Sequence, residues 1–125
     1  MRYRFKLFIL VALLAMAQSD LAGAQEGTAE RGRAFFQRQC GVCHQVAQPR
    51  IGLGPTLQGV IGRTAGSVEG FNYSPALKRS GITWAPEILD RFLADLAALV
   101  PDTRMAQRVP DEQKRRDIIQ FLATP

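Results

Sequence analysis

The sequence predicts an all-α fold of three main helices joined by long loops, and three observations predict it. Apolar residues recur at helical spacing in three separate segments. No segment shows the apolar–polar alternation of a half-buried strand. The stretch between the first two helices is punctuated throughout by Gly and Pro. Taken in order, Thr28 is placed to cap a helix over Ala29 to Gln39, with Gly32, Phe35 and Phe36 on its inward stripe. Gln45 to Gly81 carries Pro49, Gly52, Gly54, Pro55, Gly59, Gly62, Gly66, Gly70 and Pro75, so it reads as an irregular run with at most short helices. Thr83, Pro86 and Glu87 then form a helix-start signature. Ile88, Leu89, Phe92, Leu93, Leu96 and Leu99 follow on one stripe, and Pro101 ends the helix. The last helix runs from about Pro110 to Leu122, with Ile118, Phe121 and Leu122 inward and Lys114, Arg115 and Arg116 exposed.

The beginning of the chain reads as a leader, residues 1–24, ahead of one domain over 25–125. Arg2, Arg4 and Lys6 precede an unbroken apolar run of eleven residues, Leu7 to Ala17. Ala22-Gly23-Ala24 supplies the small-residue cleavage pattern of a secretory signal peptide. Eleven apolar residues are too few to span a bilayer, which takes about 20, so no stable membrane insertion is expected. Three of the sixteen Lys and Arg and one of the eleven Asp and Glu lie in the leader, so the formal charge falls from +5 to +3. The remaining basic residues are scattered, with no aromatics interleaved for stacking, which argues against a nucleic-acid partner.

A domain near 100 residues has marginal burial, and an exported one is expected to lean on a covalent staple. Cys40 and Cys43 are the only cysteines, and a disulfide between them would close almost no loop. Cys40-Gly41-Val42-Cys43-His44 is instead a C-x-x-C-H haem-attachment motif. At a helix end, two thiols three positions apart can reach both vinyl groups of one porphyrin, and the adjacent imidazole of His44 can face the iron. A thioredoxin-like dithiol would need an α/β setting, and a structural zinc would need four ligands. A Cys–His nucleophilic pair would need its members apart in sequence. The long Gly- and Pro-rich loop also fits a chain wrapped around a ligand.

His44 is the only His in the chain, and Met105 is the only Met beyond the leader. A lone Met is often a core gap-filler. Met105, however, follows Pro101-Asp102-Thr103-Arg104 in a loop instead of lying on an apolar stripe, which favours the second axial position on the iron. With both residues so engaged, no His remains for a catalytic triad.

From Gly32 to Leu122 the chain resembles the class I c-type cytochromes, of the mitochondrial cytochrome c and bacterial cytochrome c2 kind. The resemblance rests on Gly32-Arg33-Ala34-Phe35-Phe36, the C-x-x-C-H motif, Gly54-Pro55-Thr56-Leu57, Gly62-Arg63-Thr64-Ala65-Gly66, Gly70-Phe71-Asn72-Tyr73, Gly81-Ile82-Thr83-Trp84 and Met105, in that order. It implies the class I fold wrapped around one covalent haem c, with His44 and Met105 as iron ligands. It further implies that the Pro55 carbonyl accepts a hydrogen bond from His44, and that Arg63, Tyr73 and Trp84 lie at the haem propionates. It also implies that Gly32, Phe36 and Phe121 form a close crossing of the first and last helices. By residue type alone, Tyr73 and Trp84 fit core aromatics and Arg63 a solvated charge.

The departures from the mitochondrial pattern are Phe92 in place of a Tyr and Leu77 in place of a buried Asn. Gln39, Ala97 and Ala98 stand in place of Lys, and Gln107 in place of an aromatic; Arg104 keeps its charge. The resemblance implies a periplasmic electron carrier from a bacterium, not an enzyme, expected to be a monomer. It would shuttle single electrons between membrane or soluble redox proteins of the quinol–cytochrome c reductase, oxidase or reaction-centre type. The departures imply a less basic, more apolar docking rim. The alternative is a haem c ligand binder or sensor with a labile Met105, which the missing hydroxyl at Phe92 keeps open.

Overall fold

The computed structural model describes residues 28–124; the leader, the start of the domain at residues 25–27 and the last residue lie outside the described residues. Among the described residues five helices occur, in the order α1 (Ala29–Gln39), α2 (Pro75–Arg79), α3 (Pro86–Ala94), α4 (Leu96–Leu99) and α5 (Glu112–Ala123). Among the described residues the only β pairing is an isolated bridge between Thr64 and Thr83. The all-α expectation holds.

Helix α1 starts where expected, because the Thr28 hydroxyl accepts from the Arg31 N–H at 3.3 Å. Helix α5 is capped in the same way by Asp111, whose carboxylate accepts from the Lys114 N–H at 2.9 Å. The two helices cross at Gly32. A Cβ there would lie 2.5 Å from the Asp117 carbonyl carbon and 2.9 Å from the Phe121 Cβ, so only Gly permits this approach. Phe36 and Phe121 meet beside the crossing with ring centroids 5.4 Å apart. Asp117 clamps it, accepting from the Thr28 N–H and from both Nε and Nη2 of Arg31, each at 2.9 Å.

Two expectations change in the middle of the chain. The single helix predicted from Pro86 to Leu99 is broken at Asp95, whose backbone is extended and whose carboxylate caps α4 through the Ala98 N–H at 3.2 Å. Thr83 does not cap α3: Ala85 occupies that position with no side-chain bond, and Pro86 opens the helix. One further expectation fails in α5. Arg115 is buried, not exposed, and donates to the carbonyls of Val109 at 3.0 Å and Pro110 at 2.8 Å.

The core consists of two apolar clusters. One gathers Val60, Ala65, Trp84, Leu89, Phe92, Leu96 and Val100. The other joins Leu93, Val109 and Ile118. Met105 packs against both. Among the described residues no helix is long and apolar enough to cross a membrane.

Candidate haem site

The C-x-x-C-H motif begins at the C-terminal end of α1. The Cys40 N–H continues the helix to the Phe36 carbonyl, and Cys43 and His44 both donate their N–H groups to the Cys40 carbonyl, at 3.0 and 2.9 Å. One tight turn therefore holds both cysteines and the histidine. Both thiols are free and partly buried. Burial pushes the Cys40 thiol up to about 11, with the neighbouring Cys43 adding to the shift. Such a thiol is a poor thiolate and a poor redox nucleophile.

His44 is fixed from two sides. Its Nδ1 lies 2.8 Å from the Pro55 carbonyl oxygen, which can only accept, so Nδ1 carries the proton and Nε2 keeps its lone pair. Gly54 lies beneath the ring, where a Cβ would stand 2.6 Å from Nδ1 and 3.0 Å from Nε2. The loop is tied back to the motif by the Gly54 N–H on the Cys43 carbonyl and the Leu57 N–H on the Gln45 carbonyl, at 2.9 and 2.7 Å. An imidazole with one nitrogen protonated by design and the other free is the arrangement of a metal ligand.

Arg63, Tyr73 and Trp84 are brought together on the adjoining stretch of loop. The Arg63 guanidinium donates to the carbonyls of Thr56 at 2.6 Å and Gln58 at 2.9 Å. Burial lowers its pKa, and Tyr73 opposes that shift, so the two side chains are electrostatic neighbours. Tyr73 is buried, stacks edge-on against Phe71 with centroids 4.7 Å apart, and accepts from the Val68 N–H at 3.3 Å. Burial raises its hydroxyl pKa, while the Val68 bond and Arg63 act against that. Trp84 is tied to the same turn: its N–H donates to the Arg63 carbonyl at 2.9 Å, and its carbonyl accepts from Gly62 at 2.8 Å. Its indole packs on Phe92 with centroids 5.1 Å apart.

Met105 lies in the irregular run between α4 and α5, half-buried. Arg104 before it donates to the Asn72 carbonyl at 2.9 Å, and Val109 after it donates its N–H to the Leu93 carbonyl at 2.7 Å. Leu77 packs on the larger core cluster, of which Phe92 is a member, and Gln39, Ala97, Ala98 and Gln107 are all at the surface.

The donor set decides between ligands. Among the described residues no three His, Cys, Asp or Glu side chains gather as a metal site. The α/β frame of a dithiol oxidoreductase is absent from the described residues as well. Two thiols and an oriented imidazole on one turn, with a thioether elsewhere in the core, fit a porphyrin and its iron.

A family model described as Cytochrome c matches residues 29–124. The chain belongs to the cytochrome c family. It is 42% identical over 121 residues to the cytochrome c2 of Rhodomicrobium vannielii, covering 95% of this chain and 94% of that protein. It is 40% identical over 99 residues to the cytochrome c of Euglena viridis, covering 78% and 97%. In three dimensions it matches cytochrome cH from Methylobacterium extorquens with a TM-score of 0.73 at 40% identity, covering 79% of this chain and all of that one. The class I fold expected from the sequence is thus correct, and the chain is a single-haem electron carrier with covalently bound haem c. Proteins of this family carry electrons and are not enzymes.

Two features of the site escaped the sequence. One is Arg115, whose place on the stripe of Ile118 and Leu122 at helical spacing was the available signal. The other is which side chains make the apolar rim that the sequence led one to expect: Val42 within the motif, Ile51 and Leu53, of which Val42 is 73% and Leu53 79% exposed.

Proposed function

We propose that the chain is a periplasmic shuttle that accepts and delivers one electron at a time, with the haem joined to Cys40 and Cys43 and its iron held between His44 and Met105. The observation that carries this reading is the fixed His44: Nδ1 lies 2.8 Å from the Pro55 carbonyl oxygen, to which it donates, and Nε2 is left free to bind iron. Bound haem c supplies a one-electron ferric–ferrous couple.

The residues act by holding and shielding. Cys40 and Cys43 anchor, through thioether bonds formed from their thiols. His44 and Met105 would hold the iron, His44 through its free Nε2 and Met105 through its thioether, and would leave little room for a substrate or small ligand. Trp84 and Phe92, stacked in the larger cluster, keep water from the buried side. Arg63, half-buried and facing carbonyls instead of a carboxylate among the described residues, has charge left to meet an anion; with Tyr73 and Trp84 it would receive the propionates. Val42 within the motif and Leu53 before Gly54 are exposed, so an electron leaving beside the thioethers would cross an apolar surface. Partners of the quinol–cytochrome c reductase, oxidase or reaction-centre type would dock there by apolar contact more than by charge.

Residues 1–24 act in this reading as the export leader, with the working domain over 25–125. Expression of the full chain in a bacterium with haem c maturation machinery tests it. The red protein should appear in the periplasmic fraction, begin at Gln25 by mass, and exchange one electron per chain. A product confined to the cytoplasm, or free of covalent haem, would overturn the proposal.

A further inference from the structure

The loop that carries Met105 has no regular structure of its own, yet its far end is fastened with unusual care. Arg115, the buried cation of α5, points its Nη1 at the carbonyls of Val109 and Pro110, at 3.0 and 2.8 Å. Its Nε donates to the Asp90 carboxylate on α3 at 2.7 Å. Val109 is itself buried and bonded through its N–H to the Leu93 carbonyl. The Arg115 side chain is 10% exposed and the Asp90 side chain 39% exposed, so this is a charge pair at the rim of the core, better sheltered than a solvent pair. A guanidinium that bonds two successive carbonyls while a carboxylate holds its other edge fixes that stretch of backbone in place.

We infer that Asp90 and Arg115 form a latch that keeps the loop closed and so holds Met105 on the iron; the inference rests on Met105 being the axial ligand. Asp90 is a positioning residue acting through Arg115, and Arg115 acts through the Val109–Pro110 carbonyls. Release of Asp90 leaves the guanidinium free to swing from those carbonyls, and the loop then opens more often. An outside ligand that competes with Met105 binds in proportion to the fraction of open loop.

Imidazole binding to the ferric holoprotein reads this directly. In Asp90→Ala, Ala maintains the helical propensity of α3, so the change acts mainly on the pair. Asp117→Asn serves as the comparison, because it loosens the α1–α5 crossing without touching the loop. Asp90→Ala should bind imidazole about tenfold more tightly, the loss of one charge-assisted hydrogen bond. Asp117→Asn should bind it as the parent does, even where its denaturant midpoint falls as far. Equal imidazole affinity in Asp90→Ala and the parent, within about twofold, would overturn the latch. So would an equal gain in both variants, which would make the effect one of global stability. The weak long-wavelength ferric band of Met–iron coordination separates the two levels. A parent protein without it refutes the Met105 reading and the latch with it, whereas a parent with the band and an unchanged Asp90→Ala refutes the latch alone.

Discussion

Replacement of Gly32 by Ala adds one methyl group at the point where α1 and α5 touch. The new Cβ would lie 2.5 Å from the Asp117 carbonyl carbon and 2.9 Å from the Phe121 Cβ, and nearer still to the carbonyl oxygen. Carbon atoms settle at about 3.5–4 Å, so the helices must part by roughly 1 Å or more. Neither neighbour is a side-chain end that could rotate away. Separation stretches the Asp117 bonds to Thr28 and Arg31 and opens the Phe36–Phe121 contact. Overpacking of this kind costs about 3 kcal/mol, and the disturbed aromatic pair adds about 1 kcal/mol. The better helix propensity of Ala returns about 1 kcal/mol, leaving a net loss near 3 kcal/mol. For a domain of this size that corresponds to a fall in Tm of roughly 12–24 °C. Thermal unfolding of the holoprotein followed by far-ultraviolet circular dichroism measures it, with Gln37→Ala on the exposed face of α1 as a neutral reference. A Tm for Gly32→Ala within about 3 °C of the parent would refute the argument that this crossing depends on a bare backbone.

Gly54→Ala would press a methyl group onto the His44 ring and pull Nδ1 off the Pro55 carbonyl; the ferric holoprotein should then show a mixture of spin states by absorption, and an unchanged low-spin spectrum would count against the orienting role of that contact. Asp117 is held down to about 2, chiefly by its bond to Arg31, with Thr28 and Gln113 helping and burial acting against them. A carboxylate whose folded pKa lies below its unfolded value near ~4 contributes stability above that value and loses it as pH falls through about 2. Asp117→Asn should therefore lower Tm by roughly 5 °C at neutral pH, a modest figure because Arg31 is half exposed, and the gap should close as pH falls from about 4 to about 2. Electron transfer to detergent-solubilised quinol–cytochrome c reductase should change less than about threefold as salt shortens the Debye length from ~30 Å to ~3 Å, while Leu53→Asp should slow it about tenfold by placing a charge in the apolar rim; a steep salt dependence in the parent would refute apolar docking.

The parts of the site that lie close in sequence were legible from it. C-x-x-C-H fits within one turn, so spacing alone placed both thiols and the imidazole together, as the bonds to the Cys40 carbonyl now show. Helix α1 was legible because a cap and an apolar stripe agree there, and α5 from its stripe alone, its Asp111 cap emerging only in the structure. The break at Asp95 was not, since apolar residues keep the helical period across it and only a local side-chain cap interrupts the backbone. Arg115 was misplaced because a charged residue beside two others on a helix normally faces water; its burial depends on two backbone carbonyls, and carbonyls leave no mark in a sequence. The same holds for Arg63 and Arg104, whose acceptors are the carbonyls of Thr56, Gln58 and Asn72. The distant segments were ordered by resemblance, not by pattern: nothing in the spacing of Tyr73 and Trp84 alone says that both lie beside Arg63.

The absorption spectrum of the holoprotein in both oxidation states reports whether His44 and Met105 together hold the iron of a covalent haem. Low-spin spectra are expected in the ferric and ferrous forms, with the weak long-wavelength Met–iron band present in the ferric form and lost in Met105→Ala. A five-coordinate ferrous spectrum in the parent protein would contradict this ligation and point instead to a haem that binds an outside ligand.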